Sequence, residues 1–156
     1  MLIVIRISPY SFCRFGVSMR LLQALGYAGL LPFLLLTALC YWPLFPEFDA
    51  LAMFQRYSAI ILGFMAGVLW PVWSQQAALR PLALFAVALP VISFAAGLLP
   101  DSLLLVVELL LFVVLRVGER WFGLDDQYHP AYLQLRNRLT GVVVLCHALL
   151  LFYLLA

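Results

Sequence analysis

Long apolar runs separated by short polar stretches dominate this chain. Each run is long enough to cross about 30 Å of hydrocarbon as a helix that rises about 1.5 Å per residue. None shows the alternation of apolar and polar residues that is typical of membrane β-strands. The pattern therefore predicts an all-α, polytopic membrane helix bundle with about five transmembrane helices. The predicted spans cover residues 21–42, 57–73, 81–99, 102–117 and 139–156.

The composition supports a membrane protein. Of the 156 residues, 67% are hydrophobic and 10% are charged, and the mean hydropathy is +1.10. Soluble domains average roughly 45–50% apolar and about 25% charged residues. A short soluble chain exposes too much of its surface to hide so many apolar side chains. We therefore expect the lipid bilayer to be the main partner, and we expect no nucleic-acid partner.

The chain divides into a basic amino-terminal segment, residues 1–20, and a five-helix transmembrane domain, residues 21–156, with a polar loop at 118–138. The apolar run that opens the first segment is too short for a signal peptide. Met19 stands directly before the first span, so Met1 and Met19 both remain candidate starts.

The positions of the arginines predict the orientation. With the amino terminus on the cytoplasmic side, eight arginines fall inside and only Arg56 falls outside, which obeys the positive-inside bias. The carboxyl terminus then lies on the opposite side. The eight inner positions are Arg6, Arg14, Arg20, Arg80, Arg116, Arg120, Arg136 and Arg138.

Glu108 and His147 form a candidate intramembrane polar pair. Helical periodicity places them on facing polar stripes of the fourth and fifth helices, and each lies about 13 Å beneath the inner interface. A charge at that depth is costly, so we expect Glu108 to be protonated or paired and to face the bundle. Two alternatives remain open. The pair accepts protons or orients a ligand, or it is a hydrogen bond that only ties the two helices together.

Small residues recur every four positions on the second span, at Ala59, Gly63 and Gly67. Such a row removes side-chain bulk along one face and lets another backbone approach closely. The neighbour is either a partner protein, including a second copy of the chain, or another span of the same bundle.

No signature of catalysis or cofactor binding is found in the sequence. There is no nucleophile elbow, phosphate loop or HExxH pattern, and the spacing of Asp125, Asp126 and His129 matches no specific metal site. His147 has no second histidine at its depth with which to hold a haem. We therefore expect no enzyme activity, no cofactor and no metal.

Three separated motifs resemble a known family. They are LGYAGLLPF at residues 25–33, YSAIILGFMAGVLW at 57–70, and the later pattern Asp125, Pro130, Tyr132, Leu135, Arg136, Leu139 and Thr140. Together they resemble the domain of unknown function 3429 family of small bacterial and mitochondrial membrane proteins. The resemblance implies a multi-span protein of a bacterial inner membrane and supplies no catalytic residues. The matching residues Gly67, Trp70, Arg136 and Thr140 are then expected to serve shared structure.

Two hypotheses about function follow from the sequence. The first is an accessory, assembly or structural component that packs against other membrane proteins through the row of small residues. The second is a small oligomeric proton-coupled transporter or channel that uses Glu108 and His147.

Overall fold

The computed structural model of this chain describes residues 19–42, 44, 47–69 and 80–156, and all structural statements refer to these residues. The predicted all-α class is confirmed for them. The five α-helices are α1 (Met19–Tyr41), α2 (Ala50–Gly67), α3 (Arg80–Ala96), α4 (Asp101–Trp121) and α5 (Pro130–Leu155), and a short 3₁₀ helix (Leu124–Gln127) stands between α4 and α5. Most of the basic amino-terminal segment and Trp70 lie outside the described residues.

Local sequence explains where several helices begin and end. The Asp49 carboxylate accepts a hydrogen bond from the backbone N–H of Ala52 at 2.9 Å and so caps α2. Helix α5 begins with proline at its first position, where the missing N–H costs nothing. After α4, Gly123 takes the left-handed conformation at φ 68°, which ends the helix at little steric cost because glycine has no Cβ.

Several helices extend beyond the apolar runs that predicted them. Helix α2 begins at Ala50, α4 continues to Trp121, and α5 begins at Pro130, so much of the stretch 118–138 is helical. A helix need not end where its apolar run ends, because caps and ion pairs satisfy polar turns outside the hydrocarbon.

Three helices are long and apolar enough to cross a membrane: residues Gln23–Tyr41 of α1, Ala50–Gly67 of α2 and Pro130–Leu155 of α5. Residues Pro81–Ala96 of α3 form a shorter apolar helix. Helix α4 has the length of a span, at 21 residues, but it carries five charged side chains.

The helices form a closed ring in chain order. Each packs against the next, α5 closes the ring on α1, and α2 also contacts α4 across the centre. Tyr41, at the end of α1, donates a hydrogen bond to the Leu149 carbonyl near the end of α5 at 2.8 Å, so these two helices run parallel. Gln55 and Asp101, near the starts of α2 and α4, are also hydrogen-bonded to each other. The chain therefore reverses direction at each successive helix.

This threading places most of the described arginines at one end of the bundle, together with the acidic residues Glu119, Asp125 and Asp126. We call one end the arginine end, because it carries Arg20, Arg116, Arg120, Arg136 and Arg138. The other, the acidic end, carries Glu47, Asp49 and Asp101, with Arg56 one to two turns into α2.

Polar groups lie inside the bundle and apolar groups cover its outside. Large apolar side chains on every helix are exposed, among them Leu31, Phe64, Phe94 and Phe152. The buried polar side chains are Thr37, Gln55, Ser58, Ser93, Glu108, Glu119, Arg136 and His147. A soluble protein shows the opposite arrangement, because exposed apolar patches of this extent are unfavourable in water. The surface therefore fits lipid as solvent.

One glycine allows two helices of this chain to approach closely, and a second lies at an ordinary contact distance from its neighbour. A Cβ on Gly118 of α4 would lie 2.3 Å from the ring of Phe85 on α3, so only glycine fits there without movement of the ring. A Cβ on Gly63 would lie 3.8 Å from the Pro90 side chain of α3. The row of small residues on α2 is thus partly used within the bundle.

Candidate functional site

A cluster of four polar side chains lies in the middle of the apolar core. Ser58, Ser93, Glu108 and His147 come from α2, α3, α4 and α5, and each is at most 3% exposed. Four of the five helices therefore meet at one buried polar site, which we call the core cluster.

Glu108 is hydrogen-bonded at both of its carboxyl oxygens. The Ser58 hydroxyl is hydrogen-bonded to Oε2, and the Ser93 hydroxyl donates to Oε1. Hydrogen bonds to both oxygens satisfy a carboxyl group that is only 1% exposed. Loss of either serine leaves one buried oxygen without this partner.

The imidazole of His147 is fixed by its backbone and by aromatic rings. Its Nδ1 lies 2.8 Å from the Val143 carbonyl oxygen, one helical turn earlier, and its Nε2 lies 3.0 Å from the Ser58 hydroxyl. Three phenylalanine rings surround it, with centroids 4.8 Å away for Phe54, 5.7 Å for Phe112 and 6.2 Å for Phe33. These contacts leave the imidazole little freedom to turn.

Counting hydrogens shows which protonation states the core cluster accepts. A carbonyl oxygen only accepts, so Nδ1 of His147 must carry a proton. In one arrangement Nε2 also carries a proton and donates to Ser58, which donates to an ionised Glu108. In the other, a protonated Glu108 donates to Ser58, which donates to the neutral Nε2. Both arrangements satisfy every group, carry no net charge and differ only in which protons have moved along Glu108–Ser58–His147.

A third arrangement is unfavourable. If Glu108 is ionised while His147 is neutral, Ser58 has one proton and cannot donate to both, so one buried acceptor loses its donor. The cluster would then also bury an uncompensated negative charge. The geometry thus holds one exchangeable proton between Glu108 and His147, with the Ser58 hydroxyl as the bridge.

A second polar site lies at the arginine end. Arg136 of α5 forms a two-pronged ion pair with Glu119 of α4, in which Nη2 contacts Oε1 and Nε donates to Oε2 at 3.1 Å. Both side chains are 4% exposed. The remaining Nη1 donates to the Met65 sulfur of α2 at 3.0 Å. This pair ties three helices together where the bundle ends.

Further ion pairs lie between this buried pair and the surface. Arg116 donates to both carboxylate oxygens of Asp125, at 2.8 and 2.9 Å, and its Nε donates to Asn137 at 2.6 Å. Arg120 adds a longer contact to Asp125 at 3.3 Å. The hydrogen bond from Arg116 holds the pKa of Asp125 below its ordinary value. Burial raises the pKa of the neighbouring Tyr128 to about 12, so that hydroxyl stays protonated.

No group of three or more metal-ligating side chains is found among the described residues. The expected absence of a metal or cofactor remains an expectation, since the structure carries protein atoms only.

The residues selected from the sequence fall into three places. Glu108 and His147 lie in one cluster, although Ser58 stands between them. Arg136 lies in the buried ion pair, and Thr140 is half-buried one turn further along α5. Gly63 faces Pro90 of the same chain, whereas a Cβ on Gly67 would meet no atom of the described residues within 4 Å. Ala59 is half-buried.

Ser58 and Ser93 are not among the residues selected from the sequence. A polar residue that stands alone in an apolar helix is the sequence feature that indicates such a position. Ser93 is the only residue with a polar side chain between Pro81 and Ala96. A lone hydroxyl in an apolar helix needs a hydrogen-bond partner inside the bundle. Glu119 is likewise not among those residues, and the sequence offers it several arginines as partners at the same end of the bundle, namely Arg116, Arg120, Arg136 and Arg138.

The fold and the core cluster define a class: a multi-pass helical membrane protein with an ionisable site in its core. A comparison with protein families names the group. The chain belongs to the family described as "Protein of unknown function (DUF3429)", whose model matches residues 18–152. The resemblance noted in the sequence is thereby confirmed. No curated protein matches the chain, and no solved structure does.

The Asp125 contacts predict a pH dependence of stability. A carboxylate whose folded pKa is depressed stabilises the protein above its unfolded pKa of about 3.9, and this contribution is lost as pH falls through the folded value. We expect Asp125→Asn to lower the free energy of unfolding by about 1 kcal/mol at pH 7. Below pH 4, the free energy of unfolding of this variant should fall less steeply with decreasing pH than that of the wild-type chain. Thermal unfolding in detergent measures both effects. The control is Asp126→Asn, an exposed neighbour; equal effects of the two variants would contradict the assignment.

Proposed function

We propose that this chain is a small, non-enzymatic membrane protein that couples proton binding to transport, as a transporter or channel. The observation that carries the proposal is the core cluster, in which the Ser58 hydroxyl is hydrogen-bonded to both Glu108 and His147. Ionisable residues inside a membrane are costly and are typical of proton pathways. Many transporters are built from two structurally matched halves, and five helices cannot be divided into two such halves. The proposal therefore includes self-association of two or more copies of the chain.

The convergence of helices on the core cluster supports coupling. A proton that moves along Glu108–Ser58–His147 reverses the hydrogen bonds that join α4, α2 and α5, while Ser93 of α3 donates to Glu108 in either arrangement. Movement of one proton thus changes the hydrogen bonds among three helices at once. A hydrogen bond that only ties two helices together would need two side chains, whereas the core cluster contains four.

Proton flux into liposomes tests the proposal. We expect the purified protein to carry protons down a pH gradient, followed with an internal pH-sensitive dye. Glu108→Gln and His147→Ala each remove one site for the shared proton, and we expect each to reduce the flux at least about tenfold. Glu47→Gln, a change of an exposed carboxylate at the acidic end, is the matched control and should leave the flux unchanged. Flux equal to that of protein-free liposomes, or unaltered in Glu108→Gln, would remove the proposal.

We further propose that the protein resides in a bacterial inner membrane with its arginine end in the cytoplasm. The clustering of arginines at that end supports this orientation through the positive-inside bias. All five helices then cross the bilayer, and the carboxyl terminus is periplasmic. An impermeant maleimide should label Asp126→Cys only after the membrane is opened, whereas Glu47→Cys should be labelled in intact cells. The reverse pattern would refute the orientation.

A second candidate function is an accessory component that packs against other membrane proteins. The observation in its favour is the open surface at Gly67, next to the exposed side chain of Phe64. Because Gly63 already faces Pro90 of α3, the free part of the small-residue row is short. Purification in mild detergent with mass spectrometry distinguishes the two roles. The accessory role predicts a co-purifying membrane protein that Gly67→Leu removes, and a monomer unchanged by Gly67→Leu excludes it.

A further inference from the structure

The core cluster is not equally separated from the two ends of the bundle. Towards the acidic end, Gln55 precedes Ser58 by three residues on α2, about 4.5 Å of helix rise on the same face. The side chain of Gln55 is 9% exposed. Its Nε2 donates to Asp101 Oδ1 at 3.2 Å, and Asp101 is exposed at the start of α4.

The distance from the core cluster to the Glu119–Arg136 pair at the arginine end is much longer. Glu108 and Glu119 are eleven residues apart on α4, and so are Arg136 and His147 on α5. This corresponds to about 16 Å of helix. The buried side chains that the structure describes in this interval on α2 to α5 are apolar: Leu62, Ala66, Ala86, Leu89, Leu111, Phe112, Leu115, Val143 and Cys146. Thr140 of α5 and Arg116 of α4 are partly buried polar side chains in the same interval.

We infer that the core cluster exchanges its proton with the acidic end alone in this conformation, through Asp101 and Gln55, and that the apolar layer closes it towards the arginine end. This inference deepens the proposed function, because it states from which side the shared proton enters.

The physical basis is the difference in distance over which a proton must travel without polar partners. The route requires one water molecule between the Gln55 amide and the Ser58 hydroxyl, and polar groups one helical turn apart lie within reach of a single bridge. Towards the arginine end, roughly 10 Å of helix still separates His147 from Thr140, and no single bridge spans that distance. An amide such as Gln55 both donates and accepts, so it can order water without itself holding charge.

The titratable groups around Glu108 are few among the described residues. The titratable group on α5 is His147. On α4, the next acidic residue from Glu108 towards the acidic end is Asp101. The Tyr57 hydroxyl of α2 is committed to the Gly29 carbonyl at 2.9 Å. On α3 and α1 the neighbours are Ser93 and the ring of Phe33, and neither titrates. Changes in the carboxyl signal of Glu108 therefore report the shared proton.

Infrared difference spectroscopy after a one-sided pH jump tests the inference. The carboxyl band assigned by subtraction of Glu108→Gln is followed in vesicles that carry the full chain in a single orientation. Vesicles with the arginine end outward are captured through Asp126→Cys and an impermeant biotin maleimide. For this step Cys13 is replaced by serine, whereas Cys40 and Cys146 are buried.

We expect the band to change at least about tenfold faster after a jump at the acidic end than after a jump at the arginine end. Gln55→Leu and the nearly isosteric Asp101→Asn should each slow the fast response about tenfold. Glu47→Gln is the control for loss of an acidic-end carboxylate and should leave the rate unchanged. Because Asp101→Asn keeps the shape of the side chain, it remains informative if Gln55→Leu fails to fold.

Equal rates from the two ends, a faster response from the arginine end, or wild-type rates in both variants would overturn the inference. This outcome is separable from failure of the proposed function. A side-dependent band without net proton flux leaves the entry route standing and removes transport. Flux with equal rates from both ends leaves transport standing and removes the route.

Discussion

The pairing of polar groups in a core shielded from solvent is the constraint on which this structure depends. A buried carboxyl, imidazole or guanidinium without a partner costs more than most single contacts contribute, so each must be matched inside the bundle. Glu108 meets this requirement with two serines, and Arg136 meets it with Glu119 and Met65. The helix arrangement is therefore determined by two polar sites as well as by packing of apolar side chains.

The two sites differ in what their chemistry permits. The Glu119–Arg136 pair holds opposite charges in a two-pronged contact, and a guanidinium does not lose its proton, so the site is suited to fixing helices in place. The core cluster contains two groups that exchange protons readily and a hydroxyl that both donates and accepts. It satisfies two arrangements that differ only in the positions of protons. The ion pair is therefore suited to holding helices together, and the core cluster is the site on which the proposed function rests.

The sequence predicted the class of the protein much better than the chemistry of its site. Apolar length predicted helices, and periodicity placed Glu108 and His147 on facing stripes of α4 and α5. Periodicity describes one helix at a time, however, and the bridging residue Ser58 comes from α2. Which helix completes the centre of a five-helix ring depends on helix packing, and close approaches such as Gly118 against Phe85 determine that packing. Hydropathy carries no information about such pairs.

The central claim is that Glu108 and His147 act as one unit through Ser58, and a double-mutant cycle measures this most directly. Free energies of unfolding in detergent are compared for Glu108→Gln, His147→Ala and the double variant, in the wild-type chain and again with Ser58→Ala. The account predicts a coupling of about 1 kcal/mol in the wild-type chain that falls below about 0.5 kcal/mol when Ser58 is removed. Additive effects in the wild-type chain, or a coupling that persists without Ser58, would contradict it.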